Sequence, residues 1–315
     1  MISQEKINVL TENAKKIKSA LKSNQRDEKI IVDIINSTNN SERQIIRTCY
    51  KRLYDIPIQN DIKSGLTEKF KDICLSMFDT PYEKDSRDLY KAFNSHPINE
   101  NIIIEIFASR TKSHLNIINQ AYEQFFKISL KESMKDKLSP TLSKFLLIVM
   151  ETDRTENKNI TNEDAYENAK LIKEKKSSIF EDEKFFKKIF LEKSREDLIL
   201  ISRAFFEINN INLYKYIKGI KNEDIKENNN KKLIKNILFF VISPSEWFSK
   251  KIKKAIKDSN IDYEQLNRVL IYRSNIDMDI IRDYYYINYG KELIKDIQIV
   301  GQNSYGEIIT NLCMK

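Results

Sequence analysis

Glycine is scarce. The chain has five glycines in 315 residues, where an average composition of about 7% would give roughly 22. No two of the five frame a phosphate-cradling loop. Gly301 and Gly306 have Walker-like spacing, but Glu307 stands where the lysine must be. A GxGxxG turn is absent as well. Proline is equally sparse, at five. A sheet-rich chain with many tight turns is therefore excluded, because such turns need residues that tolerate φ > 0.

Other absences narrow the function. Three cysteines, Cys49, Cys74 and Cys313, provide neither a disulfide framework nor a zinc spacing, and the expected setting is reducing and intracellular. The two histidines, His96 and His114, have no Ser, Cys or acid pattern around them that would make a triad. We expect no enzymatic activity. The longest apolar runs, Phe145 to Met150 and Ile237 to Ile242, are too short to span a bilayer. The N-terminal MISQEKINVL has no apolar signal core. Any membrane contact is expected to be peripheral.

What is present is a substantial core and a basic surface. Hydrophobic residues make up 41% of the chain, and 54 basic against 46 acidic residues give a net charge of +8. That favours anionic partners, either lipid headgroups or nucleic acid. Only 12 of the basic residues are arginine. Lysine is a point charge rather than a bidentate base reader, which makes nucleic acid the less favoured partner.

The sequence repeats. Residues 30–78 slide onto 102–150 without a gap, at an offset of 72. IIVDIINST falls on IIIEIFASR, Tyr50 on Tyr122, and Ile73-Cys74-Leu75 on Phe145-Leu146-Leu147. Arg110-Thr111 corresponds to Lys193-Ser194 at an offset of 83 and to Arg273-Ser274 at 163. The same apolar pair follows each, Leu200-Ile201 and Ile280-Ile281, with Phe205 or Tyr285 after it. Four units result, at 8–79, 80–153, 162–243 and 244–315, with a tail at 1–7, a linker at 154–161 and a loop insertion near 221–232.

Within a unit the apolar spacing is helical. In unit two Leu89, Phe93, Ile103, Ile106 and Phe107 mark two short helices. Ile118 and Tyr122 mark a third, Leu130 and Met134 a fourth, and Leu142, Phe145, Leu146 and Val149 a fifth. The fold class is all-α, with about five short helices per unit.

Four units of about 70 residues with five helices each resemble the annexin family. EIFASRT (105–111), NIINQAYEQFFKISLKESM (116–134), NRVLIYRSNID (267–277) and LTEKFKDI (66–73) carry the likeness. Helical-hairpin solenoids have periods of about 33–47 residues and do not fit. The resemblance implies a curved helical disc. It implies calcium held between the first-to-second and fourth-to-fifth helix loops, bridging to anionic phospholipid. The family loop, K-G-x-G-T, frees backbone carbonyls for the ion, and a distant Asp or Glu adds two oxygens.

Every copy here departs from that loop. Ser23 and Gln25 replace both glycines in unit one, Ser95 and Pro97 in unit two, and Asp258 and Asn260 in unit four, while unit three reads KSSIFEDE (176–183). The acid position falls on Gly65, Lys137 and Val300 in units one, two and four. We expect no high-affinity site of the family type. Weak calcium sites could use Glu181, Asp182 or Asp224, which also fit as helix-start acids complementing the macrodipole.

Two routes to a membrane without such loops suggest themselves. One is electrostatic, through Lys250, Lys251, Lys253 and Lys254 in KKIKKAIK (250–257), unless these form only a solvated helix face. The other is apolar insertion of Ile179 and Phe180 at a loop tip, unless both pack inward against Phe185 and Phe186. The resemblance further implies a charged central channel at Asp85, Asp88, Glu105, Arg110 and Arg273; the preferred reading of these residues is a set of packing ion pairs. The resulting expectation is a cytoplasmic protein, peripheral at the inner face of membranes, that binds anionic phospholipid. The alternative is a cytoskeletal or cortical role, as in annexin-related giardins.

Overall fold

The computed structural model describes residues 3–22, 27–66, 68–157, 159–220, 229–257 and 260–315. Among the described residues there are twenty α-helices and no strand. In chain order they fall into sets of five. The first set is α1 (Gln4–Lys22), α2 (Glu28–Ser37), α3 (Asn40–Tyr54), α4 (Ile58–Gly65) and α5 (Glu68–Phe78). The second is α6 (Pro81–Phe93), α7 (Glu100–Ser109), α8 (Lys112–Phe126), α9 (Leu130–Lys137) and α10 (Pro140–Glu151). The third is α11 (Asn162–Lys175), α12 (Glu183–Phe186), α13 (Arg195–Asn209), α14 (Leu213–Gly219) and α15 (Asn229–Ile242). The fourth is α16 (Pro244–Ala255), α17 (Tyr263–Arg273), α18 (Met278–Tyr289), α19 (Leu293–Val300) and α20 (Asn303–Met314). A 3-10 turn at Lys176–Phe180 precedes α12 and a π turn at Lys187–Leu191 continues it. The insertion expected near 221–232 lies mostly outside the described residues.

Local chemistry sets the helix ends in the same way in each set. Asp27, Asn99, Asp182 and Asp262 cap the second helices, and each side chain accepts a backbone N–H three residues on. The third helices end on a left-handed residue: Asp55, Lys127, Asn210 and Gly290 at φ 56°, 60°, 49° and 64°. Only the last of these uses the residue that adopts this conformation without strain.

The chain forms two compact units. One comprises Met1–Pro81 and Ser245–Lys315, the other Tyr82–Pro244. In the first, α2 packs on α20 and α5 on α17. In the second, α7 packs on α15 and α10 on α12. Each unit thus joins two sets by laying the second helix of one against the fifth of the other. The core of the second unit is continuous from Leu89 to Val241. Phe145 and Phe186 stack in it with ring centroids 4.6 Å apart. In the first unit Trp247 is buried edge-on against Phe248. All three cysteines are buried and free. Burial pushes the Cys313 thiol up to about 12, against the opposing pull of Arg282.

Gly301 and Gly306 serve packing. A Cβ on Gly306 would lie 2.4 Å from the Gly301 carbonyl oxygen, so α19 and α20 meet backbone to backbone there.

Candidate functional site

The loops between first and second helices are closed on themselves where they are described. In the second set the Asn99 N–H donates to the Ala92 carbonyl at 3.0 Å. The Ser95 hydroxyl lies 2.9 Å from that oxygen and 3.0 Å from the Pro97 carbonyl oxygen. The Ser95 hydroxyl, with one proton to give, and the Asn99 N–H thus tie this loop back to the end of α6. The fourth set repeats the first of these contacts, Asp262 N–H to Ala255 O at 2.9 Å.

The third set differs, and it corrects an expectation. Ile179 and Phe180 do not stand at an exposed tip. Both are fully buried within a 3-10 turn, in the core that also holds Phe185 and Phe186. The physical reason is the turn itself, which folds KSSIF back so that two adjacent large apolar side chains leave water together. The turn opens on Lys176 at φ 47°, ψ −127°, a backbone conformation that favours glycine. The Phe180 carbonyl then accepts from Asn230 Nδ2 at 2.8 Å.

The candidate calcium acids separate. The Asp182 carboxylate is engaged by Lys175 and by the Phe185 N–H. Lys175 and then that N–H hold it below the ordinary carboxylate value. Glu181 is exposed. Asp224 lies outside the described residues. At the acid positions, Gly65 packs against the end of α1: a Cβ there would come within 3.1 Å of the Leu21 side chain. Lys137 is exposed and pairs with Asp136 at 3.2 Å. Among the described residues no group of three or more His, Cys, Asp and Glu could hold a metal ion. In the first two sets the residues at the acid positions do not fit a family-type calcium site: one offers no side-chain oxygen and the other a positive charge.

The lysine stretch on α16 is only partly a solvated face. Lys250 pairs with Glu246 at 2.8 Å. Lys251 lies over the Trp247 ring at 4.7 Å. Lys253 reaches Asp296 at 3.2 Å and lies over the Tyr285 and Tyr289 rings. Lys254 and Lys257 are exposed.

Four of the five charged residues expected at a channel are held in ion pairs within their own unit. In the second unit Arg110 grips Asp85 with two bonds, 2.7 and 3.1 Å, with both side chains almost wholly buried. Asp88 pairs with Lys84, and Glu105 is buried. Arg273, in the first unit, donates to Asp277 at 2.7 Å, and Asp277 also accepts from Ser245 at 2.6 Å. His114 sits beside the Arg110 pair. Burial first and the Arg110 charge second lower its pKa, against the opposing effect of Asp85.

Reading the sequence missed one constellation. In the first unit, Asp61 accepts from Tyr50 and Lys18, and Lys18 lies over the Tyr50 and Tyr54 rings. Asp296 accepts from Tyr285 at 2.5 Å and from Lys253 at 3.2 Å. Burial raises both carboxyl pKa values, and the hydrogen bonds from tyrosine and lysine overcome it, leaving both lowered. The signal was there to find: Lys18, Tyr50, Tyr54 and Asp61 recur as identical residues at an offset of 235. In the second set the same positions hold Tyr90, Tyr122, Phe126 and Ser133. Tyr90 stacks on Phe126 at 3.7 Å and Tyr122 meets Ser133 at 3.0 Å.

The comparisons with known proteins agree with this architecture. The Annexin family model matches residues 12–77, 84–149 and 248–312. This covers more than half of the chain, which therefore belongs to the annexin family. Human annexin A13 is 28% identical over 285 residues, 89% of this chain and 88% of that protein. Human annexin A11 is 27% identical over 302 residues, 96% of this chain. The chain spans 59% of the length of that relative. Among solved structures, annexin III superposes with a TM-score of 0.86 at 24% identity, covering 97% of this chain and 94% of that one. Calcium-bound alpha-14 giardin gives 0.77 at 14%, covering 98% and 99%. At these identities the structures speak to the fold alone. Annexins generally bind phospholipids in a calcium-dependent way. No helix among the described residues is long and apolar enough to cross a membrane.

Proposed function

We propose that this annexin is a non-enzymatic, peripheral binder of anionic phospholipid whose calcium dependence is weak or lost. The observation that carries the reading is the acid position of the second set: Lys137 stands where the family supplies a bidentate carboxylate. A lysine there removes two oxygen ligands and repels the ion. Glu181 is the exposed acid from which a weak calcium site in the third set would be built.

Attraction to the membrane is then electrostatic. The net charge of +8 supplies the long-range term. Exposed Lys254 on α16 and exposed Lys257 just beyond its end supply a local one. Each such lysine contributes about 1 kcal/mol near an anionic leaflet. The fitting location is the cytoplasmic face, where anionic lipids concentrate.

Co-sedimentation with phosphatidylserine vesicles tests the reading. We expect pelleting in chelator at low salt, reduced at high salt as the charges are screened. Pelleting that requires calcium would overturn the reading of the loops. Failure to pellet under any condition, with co-sedimentation on actin or tubulin, would replace lipid by filaments as the partner.

A further inference from the structure

The C-terminal half of α3, in the first unit, borders a cavity of about 530 Å³. Arg47, Thr48, Lys51 and Arg52 of the helix line it, with Asp55 and Pro57 from the turn that follows. Residues 47 and 51, and 48 and 52, form two adjacent i, i+4 rows, so one helix face supplies the whole basic wall. Three cations meet a single carboxylate there. The Arg47 guanidinium donates to the Gln44 side-chain oxygen at 3.2 Å. Lys51 and Arg52 are exposed, and neither has an ion-pair partner among the described residues.

The fold does not require this cluster. At the position of Arg47 the other three sets have Asn119, Ser202 and Arg282. At that of Lys51 they have Glu123, Phe206 and Tyr286, and at that of Arg52 Gln124, Glu207 and Ile287. Of these only Arg282 is basic, and it is engaged with the Cys313 carbonyl at 2.6 Å. Cations near a helix C-terminus complement the dipole, yet the other third helices have no basic residue in the last turn. Arg47 and Lys51 are moreover like charges at i, i+4, which costs a helix stability unless an anion lies between them.

A cavity of this size admits a small molecule. Guanidinium and ammonium groups together are the donors that recognise phosphate. Asp55 adds a condition. An ionised carboxylate only accepts, so the ligand must offer a donor beside its phosphates, and a hydroxyl is such a donor. We propose that the cavity at the end of α3 binds a phosphorylated polyol. Arg47, Lys51 and Arg52 hold the phosphates, and Asp55 accepts from a hydroxyl. A free polyol phosphate and the headgroup of a phosphorylated inositol lipid share this chemistry.

Isothermal titration calorimetry of the full chain with inositol trisphosphate tests the proposal. The expected result is a single saturable site that weakens as salt rises, with no heat from unphosphorylated inositol. Lys51→Glu combined with Arg52→Glu should weaken binding at least about tenfold. Both side chains face water, so this variant should keep the wild-type circular dichroism. Lys170→Glu combined with Lys218→Glu makes the same change of charge at exposed lysines of the second unit, and should weaken binding less than about twofold. Asp55→Gly keeps the left-handed backbone and should narrow the preference for inositol trisphosphate over pyrophosphate. A wild-type chain that does not bind would overturn the proposal. So would equal losses in the two double variants, because net charge alone would then explain the binding. An unchanged preference in Asp55→Gly would overturn the hydroxyl contact. Phosphatidylcholine vesicles carrying phosphatidylinositol bisphosphate separate the two sources. Binding to them that inositol trisphosphate displaces assigns the site to a lipid headgroup, and binding of the free compound alone assigns it to a soluble ligand. Neither arm uses phosphatidylserine, so the membrane reading stands or falls separately.

Discussion

The first, third and fourth helices of a set meet in two chemically different ways. In the first unit the junction is ionic: Asp61 is held by Lys18 and Tyr50, and Asp296 by Lys253 and Tyr285. In the second set, within the other unit, it is aromatic: Tyr90 on Phe126, with Tyr122 closing on Ser133. The third set is intermediate, with Lys173 over the Tyr216 ring at 4.6 Å and Phe205 beside it. The helices are the same and the left-handed residue that ends the third helix is at the same place. A junction of fixed geometry can thus be closed by a charge cluster or by stacked rings. The charge cluster imposes direction and depends on pH; the stack depends on neither sign nor protonation.

Removing one partner of the ionic junction should have the largest effect. Asp61→Ala or Asp296→Ala leaves a lysine and a tyrosine hydroxyl without their shared acceptor, and should cost about 2–3 kcal/mol. Ser133→Ala, which removes only a neutral hydrogen bond, should cost about 1 kcal/mol or less. Urea unfolding measures both, and equal costs would mean that the two junctions are energetically alike.

A milder version removes only the hydroxyl. Tyr50→Phe and Tyr285→Phe should each cost about 1.5–2 kcal/mol, because the acceptor is charged. Tyr122→Phe should cost about 1 kcal/mol or less. Thermal unfolding midpoints should rank the three in that order.

Acid should affect the two units at different pH. Asp61 and Asp296 have native pKa values below the ordinary 3.8. Their stabilisation is complete above that value and is lost as pH falls through the native pKa. His114, in the second unit, has a native pKa below the ordinary 6.5. The unfolded chain therefore takes up its proton first, and stability declines as pH falls from 6.5 toward the native value. A stability profile between pH 7 and 2 should show an early decline that His114→Gln removes. A late decline should remain, reduced in an Asp61→Asn, Asp296→Asn double variant. A single decline unaffected by His114→Gln would refute the assignment to the second unit.

The smallest effects concern the left-handed residue that ends each third helix. Gly290→Ala should cost about 1 kcal/mol, and Lys127→Gly should gain up to about 1 kcal/mol. Opposite signs at equivalent positions would show that backbone strain, not side-chain contact, governs these ends. Melting temperatures are sufficient to read the sign.

Much of this was legible in the chain. The offsets of 72, 83 and 163 fixed which residues are equivalent, and the 3.6-residue apolar spacing made them helices. The glycine count drew attention to the first loops, where Ser95 and Pro97 stand at the family's glycine positions. The site was less legible. Ile179 and Phe180 looked like a loop tip because they fall between two helical patterns. Whether such a pair faces lipid or core depends on a single 3-10 turn and on the space beside Phe185 and Phe186, which periodicity does not encode. The lysines of α16 looked like one charged face, yet Lys253 belongs to a cluster completed by Asp296, 43 residues away.

The sequence by itself determined the helical class, the repeat and the family, since each is written in residue type and local spacing. Tertiary structure alone decided which charges are free and which are engaged. It paired Arg110 with Asp85 and Arg273 with Asp277, and it assigned Lys18 and Lys253 to the carboxylates of distant helices. The reason is physical: a local pattern fixes which face of a helix is apolar, whereas the partner of a charge or a face is set by what packing brings within about 4 Å.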